Sequence, residues 1–256
     1  MNPSHYLQSG LFLVRAVVLF LLLLGLWRGL GKTDLSMNTR VATLLCVAVP
    51  LIAWFVAMQA LAVRGFIQTT PAAAQFGIPI PAVVGVPIAV WLFALMRSGR
   101  IPAVIDAVPL SWLVRIQAFR VIGSVFLLQL ALHRLPAVFA LPAGIGDVLT
   151  GLLALRVAQD LDAQKSGTQK AALAWNLFGI ADLVVALSIG MLASLHILKP
   201  GIPFRLEYPL IMVPAFAVPL ALILHALSLW QLRRRRTHAG HRDLESGGIA
   251  GLSAYH

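Results

Sequence analysis

Arg120, Asp147 and Asp182 each fall near the middle of a separate long apolar run. A charge at bilayer depth costs about 2.5–3.5 kcal/mol on insertion scales, and such residues face the bundle interior, where they mark ion or substrate pathways. At 1.5 Å rise per residue, Asp147 is central in its run, and Arg120 and Asp182 lie within about 3 Å of the midplane. The three share one level. Their i±3 and i±4 neighbours are small or polar: Gln117, Gly123 and Ser124 around Arg120; Ala143, Gly144, Thr150 and Gly151 around Asp147; Gly179, Ala186 and Ala193 around Asp182. Such faces mark helix–helix contacts, so the three charges are expected to converge. Arg120 stays protonated and pairs with one aspartate. The second carboxylate is then left without a counter-charge, and a carboxyl that exchanges a proton at mid-membrane is what proton coupling requires. A buried network that fixes helix register is the alternative role for the same residues.

Further candidates for the solute or ion pathway are Asn176, His225, Gly144 and Gly146. Pro142, Gly144 and Gly146 are expected to weaken the outer half of their helix. That would expose backbone amides to a substrate oxygen, as irregular backbone is tolerated only beside protein or a water-filled cavity. Gly144-Ile-Gly146 lacks the spacing and preceding strand of a nucleotide loop. His225 is a possible relay to Asp182 or a structural interhelical hydrogen bond. His133 and His196, both at outer span ends, are weak candidates for axial haem or metal ligation. No metal site or cofactor is expected otherwise. HExxH, GxSxG and P-loop motifs are missing, so nothing points to an enzyme. The last span carries no lysine for a retinal Schiff base.

These residues need a scaffold of long helices. The 256 residues are 59% hydrophobic and 11% charged, with mean hydropathy +0.88; a soluble domain carries roughly 25% charged residues. Apolar segments of spanning length, about 20 residues, run Leu11–Leu30, Val41–Val63, Ile78–Met96, Pro109–Arg134, Val138–Ala158, Ala171–Ile197 and Tyr208–Leu232. The expected fold is all-α and integral to the membrane, with seven transmembrane helices. Residues 1–232 form the membrane domain and 233–256 a basic, disordered cytoplasmic tail. Pro79, Pro81 and Pro87, then Pro209, Pro214 and Pro219, suggest kinked third and seventh helices. The first run has no cleavage site after it and is expected to remain as a span.

The net charge of +11 does not indicate nucleic acid, because the basic residues flank apolar runs and form no groove-sized face. Arg28, Lys32, Arg40, Arg97, Arg100, Arg115, Arg156, Lys165, Lys170 and the Arg233–Arg236 run gather on one side, against Arg64, Arg134, Lys199 and Arg205 on the other. The positive-inside rule then puts the N-terminus outside and the C-terminus in the cytoplasm of a cell inner membrane. Arg15 and Arg120 lie within spans. The single cysteine, Cys46, is expected to be a buried thiol.

Val86–Met96 aligns without gaps on Val218–Ser228, and Arg40 with the second span falls on Lys170 with the sixth. This suggests two parallel three-helix units joined by the fourth span. The arrangement resembles the 3+1+3 topology of the SWEET and PQ-loop transporters, although no proline–glutamine pair occurs. The block from Phe119 to Gly151, FRVIGSVF followed by LPAVFALPAGIGD, resembles a pattern of uncharacterised multi-pass bacterial membrane proteins, which carries no activity with it. The reading is a small-solute secondary transporter, proton-coupled through midplane carboxylates. A seven-helix sensor or accessory subunit with a structural polar core is the alternative, and a haem- or metal-binding membrane protein the third. The expected partners are the lipid bilayer, a small molecule or proton, and an oligomer mate or partner subunit.

Overall fold

The computed structural model describes residues 3–68, 77–97, 105, 107–195, 197–198 and 204–252. In order these form α1 (Pro3–Leu30), α2 (Met37–Val63), a two-residue parallel pairing of β1 (Ile67–Gln68) with β2 (Ile78–Pro79), and α3 (Ile80–Arg97). Next come α4 (Leu110–Ile116), a 3-10 segment (Gln117–Gly123) and α5 (Ser124–Ala131), which together make one rod. The chain then continues through α6 (Ala137–Asp162), α7 (Thr168–Ser194), a π-helical turn (Val213–Ala217) and α8 (Val218–Leu252).

Six helices among these residues are long and apolar enough to cross a membrane: Tyr6–Leu30, Met37–Val63, Leu110–Ala131, Ala137–Asp162, Thr168–Ala193 and Val213–Arg235. The third expected span is not among them: α3 is 18 residues long, and its apolar stretch among the described residues is Ile80–Trp91.

The faces explain why these helices prefer lipid to water. On α6, Val138, Leu141, Ile145, Leu149 and Leu152 are exposed, while Ala143, Gly144, Gly146, Asp147, Thr150, Gly151 and Ala154 are buried. Apolar side chains thus point out and small or polar ones point in. Exposed apolar stripes of this kind also cover α1 (Leu13, Phe20) and α2 (Leu45, Val49, Ile52, Val56). Soluble monomers rarely expose contiguous apolar patches beyond a few hundred Å². Cys46 lies on the exposed stripe of α2, against the expectation of a buried thiol, because the buried line there runs through Ala48, Leu51 and Phe55 instead.

The core of the bundle is α6, which packs on α7 and along the whole α4–α5 rod. The α1–α2 turn is pinned by Arg40, whose Nε and Nη2 donate to the carbonyls of Leu35 and Thr33 at 2.8 and 2.5 Å. Ser36 caps α2 by accepting from the Thr39 amide. A large apolar cluster fills one part of the bundle. A second, smaller one, built on Leu110, Val114, Ala154, Ala158, Ala172, Trp175 and Leu232, fills the end where α6 terminates at Asp162.

The prolines act unevenly: Pro214, one of those expected to kink the last span, lies in the π turn that opens it. α6 runs unbroken through Pro142: losing one backbone hydrogen bond is cheaper than opening a helix where no water can satisfy the freed groups. α3 likewise continues through Pro87, whereas Pro219, its counterpart in the proposed repeat, follows directly on the π turn. The irregular backbone is found in the α4–α5 rod and before α8.

Close approach of α1 to the segment before α4 depends on Gly29, where a Cβ would run into the carbonyl of Ala107; at Gly10 a Cβ would meet open space. Gly29→Ala should therefore lower the unfolding temperature of the detergent-purified protein, by overpacking of about 1–3 kcal/mol. Gly10→Ala should leave it unchanged or raise it, through better helix propensity of about 0.5–1 kcal/mol.

Candidate functional site

The 3-10 winding of Gln117–Gly123 sets up the site. With three residues per turn, side chains at i and i+3 eclipse, so Gln117, Arg120 and Gly123 line up on one face, and all three are buried. Arg120 is only 2% exposed. Its Nε donates to Asp147 Oδ1 on α6 at 2.7 Å, and its Nη2 donates to Asp182 Oδ2 on α7 at 2.5 Å. Nη1 donates to the Gly179 carbonyl at 3.1 Å and to His225 Nε2 on α8 at 3.3 Å. One guanidinium therefore ties four elements of the bundle together, with both its side-on nitrogens committed to different carboxylates.

The chain continues beyond the arginine. Because His225 Nε2 accepts from Arg120, its Nδ1 carries the proton and donates to Asn176 Oδ1 at 2.9 Å. Asn176 Nδ2 in turn donates to Ser228 Oγ at 2.9 Å and to the Ala172 carbonyl at 2.8 Å. Trp175 packs against His225 in a tilted arrangement, with centroids 4.9 Å apart, and donates Nε1–H to the Thr150 carbonyl at 2.9 Å.

Glycines clear the space for this network. A Cβ at Gly123 would overlap the Asp147 side chain, one at Gly146 the Asp182 carboxylate, and one at Gly179 the imidazole of His225. Gly144 gives room to Leu127 on the rod. The two glycines expected to free backbone amides for a ligand therefore sit in a continuous helix and serve close packing.

The surroundings are asymmetric. Towards Phe204 the site is closed by edge-on aromatics, Phe126 on Phe139 at 5.3 Å and Phe139 on Phe204 at 4.7 Å. Towards Asp162 it grades into a polar layer of Gln117, Thr150, Asn176 and Ser228, all buried, before the smaller apolar cluster begins. Within that layer both amide atoms of Gln117 and the Thr150 hydroxyl are buried without a hydrogen-bond partner among the described residues. Buried polar groups are almost always satisfied, so these three atoms mark where a water or a solute group belongs.

Of the residues expected at the site, Arg120, Asp147, Asp182, Asn176 and His225 form one hydrogen-bonded network, with Gln117 one 3-10 turn away. His225 meets Arg120 and Asn176; no hydrogen bond joins it to Asp182. His133 is on the exposed turn after α5, at φ 54°. His196 lies outside the described residues. No group of three or more His, Cys, Asp and Glu able to hold a metal occurs among the described residues. Sequence reasoning missed Trp175 and the aromatic closure by Phe126, Phe139 and Phe204. It also passed over Arg15, which lies within the first span but away from its middle.

Residues 77–233 match the family described as "Domain of unknown function (DUF8737)". The chain belongs to this family. The match covers more than half of the chain and includes every residue of the Arg120 network; α1 and α2 lie before it. No curated protein matches the chain, and no solved structure does. Within the DUF8737 region, then, the chemistry has to be read from the residues themselves.

Removing one partner of a buried ion pair leaves an uncompensated charge and costs about 3–5 kcal/mol, whereas replacing all partners with apolar side chains is often neutral. Arg120→Met should accordingly yield much less folded protein than the wild type. The triple variant Arg120→Met, Asp147→Leu, Asp182→Leu should recover a large part of it, as read by size-exclusion profile and thermal unfolding in detergent. Arg120→Lys should fall between the wild type and Arg120→Met, since an ammonium keeps the charge but has no planar fork.

Proposed function

We propose that this chain is a small-solute secondary transporter coupled to protons through Asp147 and Asp182. The observation that carries the reading is charge stoichiometry: a single guanidinium is shared by two carboxylates from two helices. With both carboxylates ionised the cluster holds one net negative charge, and uptake of one proton makes it neutral. In a low-dielectric bundle the two states differ in how tightly Arg120 binds α6 and α7, which links protonation to helix packing. The orphaned amide of Gln117 and hydroxyl of Thr150 offer polar contacts for the solute beside that switch. The apolar and aromatic closures on either side keep the site occluded, as alternating access requires.

The proposed topology has seven spans, α3 completing the set, in a bacterial inner membrane. The Lys and Arg bias puts the Arg115–Asp162 pair and the α8 extension in the cytoplasm. Arg233–Arg236 then sit where they can touch anionic lipid headgroups, at about 1 kcal/mol per basic residue. The polar layer of the site faces inward and the Phe126–Phe139–Phe204 closure outward. A second reading, a sensor or accessory subunit with a structural polar core, is favoured by a different observation: every nitrogen of Arg120 already has a partner.

Proteoliposomes loaded with a pH-sensitive dye separate the two. Given single amino acids, sugars and organic acids in turn, wild-type vesicles should show internal pH changes with one chemical class. Asp147→Asn and Asp182→Asn should insert and fold while reducing that proton flux at least tenfold. No response to any class, together with loss of folding in both variants, would establish the structural reading instead.

A further inference from the structure

A second guanidinium lies inside the bundle, and the network above makes no use of it. Arg15 on α1 is 6% exposed, and its Nη1 donates to the Pro209 carbonyl at 3.4 Å. Its Nε and Nη2 are buried and have no hydrogen-bond partner among the described residues. Arg15 takes part in no ion pair among those residues either. Nε–H and the adjacent Nη2–H form the side-on edge of the guanidinium, two parallel donors whose spacing matches the two oxygens of a carboxylate. Arg120 uses the same edge to hold Asp147 and Asp182. In Arg15 neither donor of that edge has a partner among the described residues, and burying a cation without a counter-charge is strongly unfavourable.

The immediate surroundings narrow the kind of anion that this edge suits. Arg15 lines a cavity of about 20 Å³, and every other lining side chain is apolar, Phe119, Ile122, Phe216 and Leu220 among them. The cavity is small and partly open, so it takes a headgroup with the start of a chain and not a whole ligand. A water there would have only the Arg15 donors as partners, the rest of the lining being apolar, and would leave the charge uncompensated, whereas a carboxylate bound to the fork neutralises it and places its apolar part against those walls. Val14 belongs to the lining and is also 37% exposed on the lipid-facing side of α1, so the cavity has an edge towards the bilayer. Other hydrogen-bonding capacity is close to the Pro209 anchor: Gln59 Nε2 donates to Tyr208 Oη at 2.6 Å, and Gln59 Oε1 is buried without a partner.

We propose that Arg15 is the headgroup site for a single-chain carboxylate amphiphile that enters from the lipid phase. The fork takes the two oxygens, the first methylenes lie among Phe216 and Leu220, and the chain leaves past Val14 into the bilayer. The site does not depend on the transport reading: Arg15 makes no bond to the Arg120 cluster, although Phe119 and Ile122 of the lining lie on the 3-10 segment that carries Arg120.

Binding of octanoate, methyl octanoate and acetate to the full-length protein in nanodiscs, followed by thermal unfolding and by calorimetry at fixed ionic strength, tests this. Octanoate should bind saturably and raise the unfolding temperature. Methyl octanoate, with the same chain and no charge, and acetate, with the charge and no chain, should each bind at least tenfold more weakly. Arg15→Gln should abolish the octanoate effect and Arg15→Lys weaken it tenfold or more. Ala217→Phe, which fills the cavity and leaves Arg15 in place, should abolish it as well and serves should Arg15→Gln fail to fold. Equal responses to octanoate and methyl octanoate, equal affinity for acetate, or an unchanged octanoate effect in folded Arg15→Gln would each overturn the assignment.

Discussion

The bond pair from Arg120 to Asp147 and Asp182 is the constraint around which the bundle is arranged. In lipid, helices gain little from burying apolar surface against one another, because the acyl chains are as apolar as leucine; close packing and interhelical hydrogen bonds decide association. The guanidinium supplies such bonds to α6, α7 and α8 from the rod formed by α4 and α5. Its demands explain the small residues around it. Gly123, Gly146 and Gly179 are where a methyl group would collide with a member of the network, so these glycines follow from the charges and not from any need for backbone freedom.

This makes the molecule inverted relative to a soluble protein. Within the spans several polar side chains are among the most buried, with Gln117, Asn176, His225 and Ser228 at 0% exposure, while many leucine, valine and phenylalanine side chains face outward. Two apolar clusters nonetheless remain inside, and the polar layer lies between them. Such a layer is costly unless its members satisfy one another. The sequence of donors from Arg120 through His225 and Asn176 to Ser228 does so, and the unmatched atoms of Gln117 and Thr150 are the places where the internal accounting stays open to a ligand or water.

Much of this was legible without coordinates, for a physical reason: a charge inside an apolar run has few places to go, and its i±3 and i±4 neighbours reveal whether its face can meet another helix. The small-residue faces of Asp147 and Asp182 did so, and the structure brings both onto Arg120. The local backbone was harder to read. Pro142 with Gly144 and Gly146 suggested a weakened helix, yet α6 is continuous. Of the departures from α-geometry, the one at Val213–Ala217 includes Pro214, among the prolines expected to kink the last span, whereas the one at Gln117–Gly123 contains no proline at all. There the tertiary demand for three aligned buried residues overrides local preference, and local preference is all that a short window of sequence encodes. Arg15 illustrates the opposite difficulty. It was visible as a charge within a span, but with no acidic residue at hand to pair with it, nothing marked it as part of a site.

The 3-10 segment has a mechanical side as well. Its seven residues rise about 2.0 Å each where an α-helix rises about 1.5 Å, so the rod is stretched by roughly 3.5 Å relative to a regular helix of the same residues. Rewinding them would draw α4 and α5 together by that amount and fan Gln117, Arg120 and Gly123 from a single line into a wedge about 60° wide per turn of three. Gln117 and Gly123 would then leave the face on which Arg120 meets α6 and α7. Length, twist and charge pairing in this rod are therefore one degree of freedom, and whatever alters one of them is felt by the other two.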